Sequence, residues 1–520
     1  MTGENGLSRG WAVVPDGPSF DLRRATPTDL ARRSAAVLSV LPGAAVPLLK
    51  GGDPRRLSRR DAGRALRLVA QRLGGSWVKV GQLLASAPGL VGDEISEELR
   101  PLLDTSPAVS PPRVEAAISR AWDRPVRDLL AELDPVPVGT GSLAVVHRGV
   151  TRDGQVVAVK VLRPGIERDS AADLVLIETV LDRLAAWRGM DRSAFRALVA
   201  GLRMQLSEEL DLRREAAHMG RFQELFSQAG LSRLVIPRVY EEMSGRRVLT
   251  MEFLEGVAID DLSAIERMGG DPAPLVAEAL QAWWATVGVA GMFHGDVHAG
   301  NLIYTNDGRL GIIDWGIVGR LSEKNRSFML AMLSGAAGDE GAWGQAADLL
   351  MEGIPERVRR RDDFDAGRAR VMITQGLSYA LTRPYGEVSL GALLSGEAFK
   401  DMPGEDADGR AGDPGSNPGP GVQTDGTSSR GVRGRSRGRR LARRRASPRS
   451  SERVDRTEGA KGADQDGSAS PEGPDRDILL LGKQLLYFER YGKQYLSDRS
   501  VLSDAAFVLD LVKSHPANSE

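Results

Sequence analysis

The chain of 520 residues contains no cysteine. That excludes disulfides and thiolate-held metals, and it fits a reducing compartment. Net charge is also missing: 69 basic and 70 acidic residues leave −1. The molecule as a whole is therefore no electrostatic magnet for nucleic acid or anionic lipid, and nucleic acid is not expected as a partner. Long apolar runs are absent. The most apolar early stretch, Ala35 to Leu49, is interrupted by Pro42, Gly43 and Pro47 and is too short to span a bilayer. Met1 to Gly10 lacks the basic-then-apolar pattern of a signal peptide. These absences predict a cytoplasmic protein without a transmembrane helix. What is present, 41% hydrophobic and 27% charged residues, is ordinary globular composition over a length that allows more than one compact unit.

Residues 1 to about 55 read as a loose lead-in with one or two short helices. Apolar residues then recur at helical spacing (Leu66, Val69, Leu73, Val80, Leu83, Leu84). Gly74-Gly75 and Pro88-Gly89 punctuate this region, and Pro111-Pro112 opens another helix through Trp122. From Val136 the period shortens. Val145–Val150 and Val156–Val161 read as strands, with Asp153-Gly154 between them as a hairpin turn. Helical patterns follow from Ala172 to Trp187 and from Phe195 to Phe226. Arg247 to Glu252 reads as a strand, with Gly256 at a hinge, and a further helix runs from Pro274 to Val289. Between about Asp401 and Asp475 large apolar residues nearly vanish among Gly, Ser, Pro, Asp and Arg, a composition that predicts disorder. An amphipathic helix resumes at Ile478, so this segment is an insertion rather than a tail. Its arginine run, Arg430 to Arg449, has no interleaved aromatics and reads first as a solvated block, with RNA or anionic-lipid contact as the alternative.

Two short segments carry the chemistry. His294-Gly295-Asp296-Val297-His298-Ala299-Gly300-Asn301 is followed by Ile313-Asp314-Trp315-Gly316. The order Asp, Asn five residues on, then Asp on a hairpin is that of phosphotransferases of the kinase type. Asp296 is the expected catalytic carboxylate. Asn301 and Asp314 offer oxygen ligands of the kind magnesium prefers. Upstream, Lys160 ends the strand sequence Val157-Ala158-Val159-Lys160, the position from which a lysine reaches the α- and β-phosphates of ATP. It needs a carboxylate to hold it, and Glu215 is the best candidate. Gly139-Thr140-Gly141-Ser142, before the hairpin, reads as a loop whose backbone N–H groups approach phosphate oxygens, although Ala144 stands where a third glycine is expected. Glu252 completes the nucleotide-binding set. His294 and His298 are read as orienting the loop rather than as a metal pair, because no further ligand cluster is near. Lys79-Val80-Gly81-Gln82 has no general chemical reading and looks like a helix packing contact.

These motifs together resemble the UbiB/AarF family of atypical kinase-like proteins associated with quinone and isoprenoid-lipid metabolism. The resemblance rests on Lys79-x-Gly81-Gln82, on Glu209-x-Asp211 followed by Arg-Arg-Glu-Ala, on Val-Lys-Val-Leu-Arg-Pro-Gly after the strand, on the His-x-Asp-x-His-x-Gly-Asn loop, and on the closing Gly482-Lys483 and Tyr487-Phe488-Glu489-Arg490-Tyr491. It implies an α+β, bilobal protein-kinase-like fold with a small antiparallel-sheet N-lobe, a helical C-lobe and a helical N-terminal extension over the active site. The expected divisions are a lead-in (1–56), the extension (57–130), the N-lobe (131–256), the C-lobe (257–400), the insertion (401–476) and the closing helices (477–514). In the family, Lys79 and Gln82 point into the site near Glu209 and Asp211. Such a lid blocks a protein substrate and favours ATP hydrolysis or a small lipid-like or quinone-precursor substrate.

The implied cofactors are ATP and Mg2+, with any contact to anionic membrane being peripheral. This chain departs from the family at its glycines: Gly139 and Gly141 stand where an alanine-rich loop is usual. Val297 and Ala299 replace common prolines. Two other readings stay open, a small-molecule phosphotransferase of the aminoglycoside or choline kinase type and a nucleotide-dependent lipid-binding module with little turnover.

Overall fold

A computed structural model describes residues 22, 24–49, 58–85, 91–103, 109–188, 192–354, 356–361, 364–389 and 476–514. The expected turn at Pro88-Gly89 and the expected disordered insertion with its arginine run lie outside the described residues. The elements below belong to one compact unit, made of residues 1–401 and 473–520.

The fold is α+β. A long helix, α1 (Pro27–Leu49), leads into α2 (Arg59–Leu73), α3 (Gly75–Ala85), α4 (Asp93–Leu99) and α5 (Pro111–Trp122). Among the described residues the lead-in holds one 23-residue helix rather than short pieces. Its prolines suggested breaks, but α1 is held from outside by packing on α2 and on α6 (Ile166–Arg188). Arg33 of α1 donates two hydrogen bonds to Asp173 of α6, both at 2.7 Å and both buried. Ser58 caps α2, its hydroxyl accepting from the Asp61 N–H, and Gly74 ends that helix at φ 66°, a conformation that suits glycine. The expected break at Gly74-Gly75 falls there.

Four antiparallel strands follow, in the order β1 (Leu130–Thr140), β2 (Ala144–Thr151), β3 (Val156–Leu162) and β5 (Val248–Glu252). Alternation along β3 decides the site. Val157, Val159 and Val161 face one way and pack with Val114 and Ile118 of α5. Ala158 and Leu162 face the main core, and Lys160 shares that face. The row Gly139–Val146–Lys160–Leu249 runs straight across the sheet.

The pattern from Phe195 to Phe226 forms two helices, α7 (Arg192–Glu209) and α8 (Leu212–Gln228). Asp211 takes extended backbone between them and accepts from the Arg213 N–H as the N-cap of α8. Leu202, Leu206 and Leu210 keep a four-residue spacing up to the break and are all buried, so periodicity alone does not show it.

The C-terminal half is mainly helical around α10 (Ala273–Ala290), after β6 (Gly256–Ala258) and α9 (Leu262–Arg267). Gly291, at φ 61°, turns α10 directly into β7 (Met292–His294). Two small sheets flank it: β7 with β10 (Val318–Arg320), and β4 (Leu234–Val235), β9 (Leu310–Ile312), β8 (Leu302–Thr305) and β6 in that order. Helices α11 (Glu323–Ala336), α12 (Glu340–Glu352), α13 (Glu356–Arg359) and α14 (Ala366–Thr382) follow. Then come α15 (Arg476–Tyr495) and α16 (Ala505–Ser514). The main core joins Trp283, Trp284, Phe293, Trp315, Tyr385, Phe488 and Tyr491.

Candidate functional site

The helix break at Asp211 starts α8 beneath the sheet, so that Glu215 lies in its first turn and is buried. Lys160 Nζ donates to Glu215 Oε1 at 2.8 Å and to Asp314 Oδ1 at 2.9 Å. One ammonium thereby joins the strand, α8 and the segment after the β8–β9 hairpin. Burial works against the Lys160 ammonium, but Asp314 and Glu215 beside it outweigh that and hold it protonated. Burial pushes the Glu215 carboxyl up to about 7, Lys160 offsetting it only in part. The enclosing walls also disfavour the Asp314 carboxylate, yet Lys160 prevails and keeps it well below the ordinary range. The Asp314 side chain is 50% exposed, open to the cleft.

Asp314 sits at φ 59°, left-handed backbone that is unusual for a residue with a Cβ. Its neighbour holds it there. Trp315 is buried, its ring 4.5 Å from Phe222 and 4.5 Å from His294. Trp315 Nε1 donates to the Ile312 carbonyl at 2.9 Å, and the Trp315 carbonyl pairs with His218 Nδ1 at 3.0 Å.

The loop after β7 is tied from within. His294 Nδ1 accepts from the Asp296 N–H at 3.0 Å, and burial pulls the imidazole down to about 4, so it is neutral and fit to accept. His298 Nε2 stands 4.0 Å from Asp296 Oδ2. Asn301 Nδ2 donates to the Asp296 carbonyl at 2.9 Å, and the Asn301 carbonyl accepts from the Ile313 N–H at 2.9 Å. Asn301 and Asp314 therefore sit at neighbouring ends of the β8–β9 pair. With its amide nitrogen engaged, Asn301 has its side-chain oxygen left to offer. This small all-oxygen set suits magnesium, which keeps waters and takes further oxygens from phosphates. Among the described residues no three of His, Asp and Glu gather into a metal-binding group.

The glycine loop closes the β1–β2 hairpin. The Gly141 N–H donates to the Ala144 carbonyl at 2.9 Å, and Arg163 donates twice to the Gly141 carbonyl, at 3.0 and 2.8 Å. Thr140 pairs with Val145, and Ser142 lies in the turn. Glu252 ends β5, and its carboxylate accepts from the Arg238 N–H at 3.3 Å.

Lys79 links the extension to the site. Lys79 of α3 pairs with Glu209 at 2.6 Å, and its charge is felt at Asp314. Gln205 also donates to Glu209, at 2.8 Å. Gln82 Nε2 donates to the Leu102 carbonyl at 3.0 Å, a bond inside the extension. A Cβ on Gly81 would meet Leu102 Cδ1 at 2.3 Å, so this glycine is a packing contact. Asp211 holds Arg213 at 2.9 and 2.7 Å while it caps α8.

Two contacts at Asp296 were not expected from the sequence, which offered Lys483 only as part of a resembling motif and Gln484 not at all. Lys483 of α15 donates to Asp296 Oδ1 at 2.6 Å. Gln484, 0% exposed, donates to the Gly295 carbonyl at 2.6 Å and accepts from the Val297 N–H at 2.9 Å. Together they bracket Asp296 from a helix nearly 190 residues later. The signal was there: Leu481, Gln484, Phe488 and Tyr491 share a buried stripe, and Gln484 is the polar member.

The chain is similar to known proteins. The family model for the ABC1 atypical kinase-like domain matches residues 101–341. A chloroplast aarF-domain-containing protein kinase of Arabidopsis thaliana is 36% identical over 296 residues, 56% of this chain and 54% of its own. A UbiB protein kinase of Marinobacter nauticus is 33% identical over 65% of this chain and 61% of its own. A solved structure, the Rv3197–erythromycin complex of Mycobacterium tuberculosis, is 25% identical over 64% of this chain and 82% of that one, with a TM-score of 0.39. The chain spans about half the length of curated relatives it matches. With its Lys-x-Gly-Gln extension, its lysine–glutamate pair and its paired aspartate loops, the chain carries a match to the ABC1 atypical kinase-like domain over residues 101–341 and is similar to UbiB and aarF-domain proteins.

Proposed function

We propose that the protein binds Mg-ATP and transfers or hydrolyses its terminal phosphoryl group in support of quinone or prenyl-lipid metabolism. The bridge from Lys160 to both Glu215 and Asp314 carries this reading, because it aligns the phosphate-binding strand with the expected metal ligands across one cleft. Asn301 and Asp314 would hold the magnesium, which neutralises charge on the phosphate oxygens. Lys160 would grip the α- and β-phosphates, with the loop from Gly139 to Ser142 over them and Glu252 at the strand end nearby. In the transfer, the bond from the γ-phosphorus to its bridging oxygen breaks and an acceptor or water oxygen bonds to phosphorus. The proton of that oxygen passes to Asp296, and ADP leaves.

Lys79, paired to Glu209 at the cleft, supports a covered site that admits a small or lipid-like acceptor rather than a folded protein. The quinone context is what the resemblance to the UbiB/AarF proteins implies, and relatives named UbiB are among those this chain is similar to. In this reading a lipid acceptor is met by peripheral contact with an anionic membrane surface. No helix among the described residues is long and apolar enough to cross a membrane.

The test is nucleotide affinity and turnover with magnesium or with chelator, for wild type, Lys160→Met, Asp296→Asn and Asp314→Asn, with and without prenylated phenol acceptors in vesicles. Wild type should require magnesium. Asp314→Asn should lose metal-dependent affinity. Asp296→Asn should bind ATP yet turn over roughly 100-fold more slowly, the scale on which removing one group aimed at the reacting centre acts. Absence of Mg-ATP affinity in wild type, or undiminished turnover in Asp296→Asn, overturns the proposal. An unaltered quinone and lipid profile in a strain lacking the protein overturns its metabolic part.

A further inference from the structure

Phosphoryl transfer needs positive charge beside the reacting oxygens, and the segment from His294 to Asn301 holds neither lysine nor arginine. The cation nearest Asp296 comes from outside the loop and outside the matched domain. Lys483 Nζ lies 2.6 Å from Asp296 Oδ1, on a helix that begins at Arg476. Its stem runs beside Tyr487, the ammonium 5.7 Å from that ring centre, and it also feels the charge of Glu209. Glu209 in turn holds Lys79 of the extension. Charges of alternating sign thus run from α3 through α7 to α15 and end on Asp296.

This ion pair is a poor candidate for a structural fastener. Gln484, one residue on and fully buried, already fixes the helix to the backbone on both sides of Asp296. Tyr491 reaches the Val297 carbonyl at 3.3 Å, and Phe488 packs edge-on against Trp283 with ring centres 4.8 Å apart. Lys483 and Asp296 are both partly open to solvent, at 36% and 24%. A pair so placed adds little to stability. What it does fix is the direction of one carboxylate oxygen and the place of one positive charge.

Resting on the phosphoryl-transfer reading above, we propose that Lys483 is a positioning residue for that reaction. It acts through Asp296, aiming its carboxylate at the acceptor oxygen and supplying the positive charge that the loop lacks. The C-terminal helix is then part of the active site rather than a scaffold behind it.

The test is a double-mutant cycle in the full chain with Lys483→Met, Lys483→Arg, Asp296→Asn and Lys483→Met/Asp296→Asn. Mg-ATP affinity, kcat, KM and the thermal midpoint are read for each. We expect Lys483→Met to lower kcat at least 30-fold with nucleotide affinity within threefold of wild type and an unshifted midpoint. Lys483→Arg should recover part of the loss. The double variant should be no slower than Asp296→Asn alone. Losses that multiply in the double variant, or a Lys483→Met enzyme as fast as wild type, overturn the inference while leaving the ATP reading intact. If Lys483→Met is misfolded, the arginine variant decides: a folded Lys483→Arg with a full wild-type KM but a kcat unrelated to Asp296 in its own cycle refutes it. Failure of wild type to bind Mg-ATP removes both readings, and the binding measurement distinguishes that case.

Discussion

Replacing Gln484 with leucine probes the joint between the late helix and the loop around Asp296. The side chain is fully buried and makes two hydrogen bonds to main chain, accepting from Val297 N–H and donating to Gly295 C=O. Leucine nearly matches its volume, so the cavity contribution is small and the polar contribution is isolated. Both backbone groups would be left buried without these partners. An orphaned buried group costs about 1–3 kcal/mol, so the expected destabilisation is about 4 kcal/mol. The assay is urea unfolding of the full chain followed by tryptophan fluorescence, since Trp283, Trp284 and Trp315 sit in the same core. The variant's midpoint should fall with little change in slope. Turnover should fall as well, because the two lost bonds flank Asp296. A Gln484→Leu protein within about 0.5 kcal/mol of wild type would refute the reasoning, since that is the scatter of substitutions away from such features.

Two further outcomes follow from buried charge elsewhere. Arg33→Met should destabilise by about 3–5 kcal/mol in chemical denaturation, since it strands the buried Asp173 carboxylate, and adding Asp173→Leu should restore most of the loss. His218 is buried against the Trp315 carbonyl, and burial lowers its imidazole to about 4 from an ordinary value near 6.5. The unfolded chain therefore takes up the proton first. The stability this histidine contributes is complete above pH 6.5 and disappears as pH falls toward 4, by about 3 kcal/mol in all. Urea midpoints measured across that window should flatten in His218→Asn by one proton's worth, and an unchanged pH slope would exclude the assignment.

The candidate site was legible where chemistry dictates residue type and spacing. Asp296, Asn301 and Asp314 had to be oxygen-bearing, and Lys160 had to lie on a strand beside the glycine loop, so the linear order alone marked them. Glu215 was legible because a buried lysine demands a partner. The break before α8 was not, since Leu206 and Leu210 preserve the helical period through it and Asp211 lacks the glutamate three residues on that would complete a capping box. Helix α1 was misread for the opposite reason: Pro42 and Pro47 signal interruption, while the tertiary tie from Arg33 to Asp173 is invisible in sequence. The contacts of Lys483 and Gln484 with the Asp296 loop needed the fold, because a contact across nearly 190 residues leaves no local trace except one polar residue on an apolar stripe.

That distance has a consequence for biosynthesis. A ribosome completes every recognisable kinase motif soon after Gly316, yet the clasp on residue 296 does not emerge until translation has passed residue 484. If Lys483 positions the Asp296 carboxylate as proposed, a chain stopped anywhere between these two points carries the motifs without that clasp.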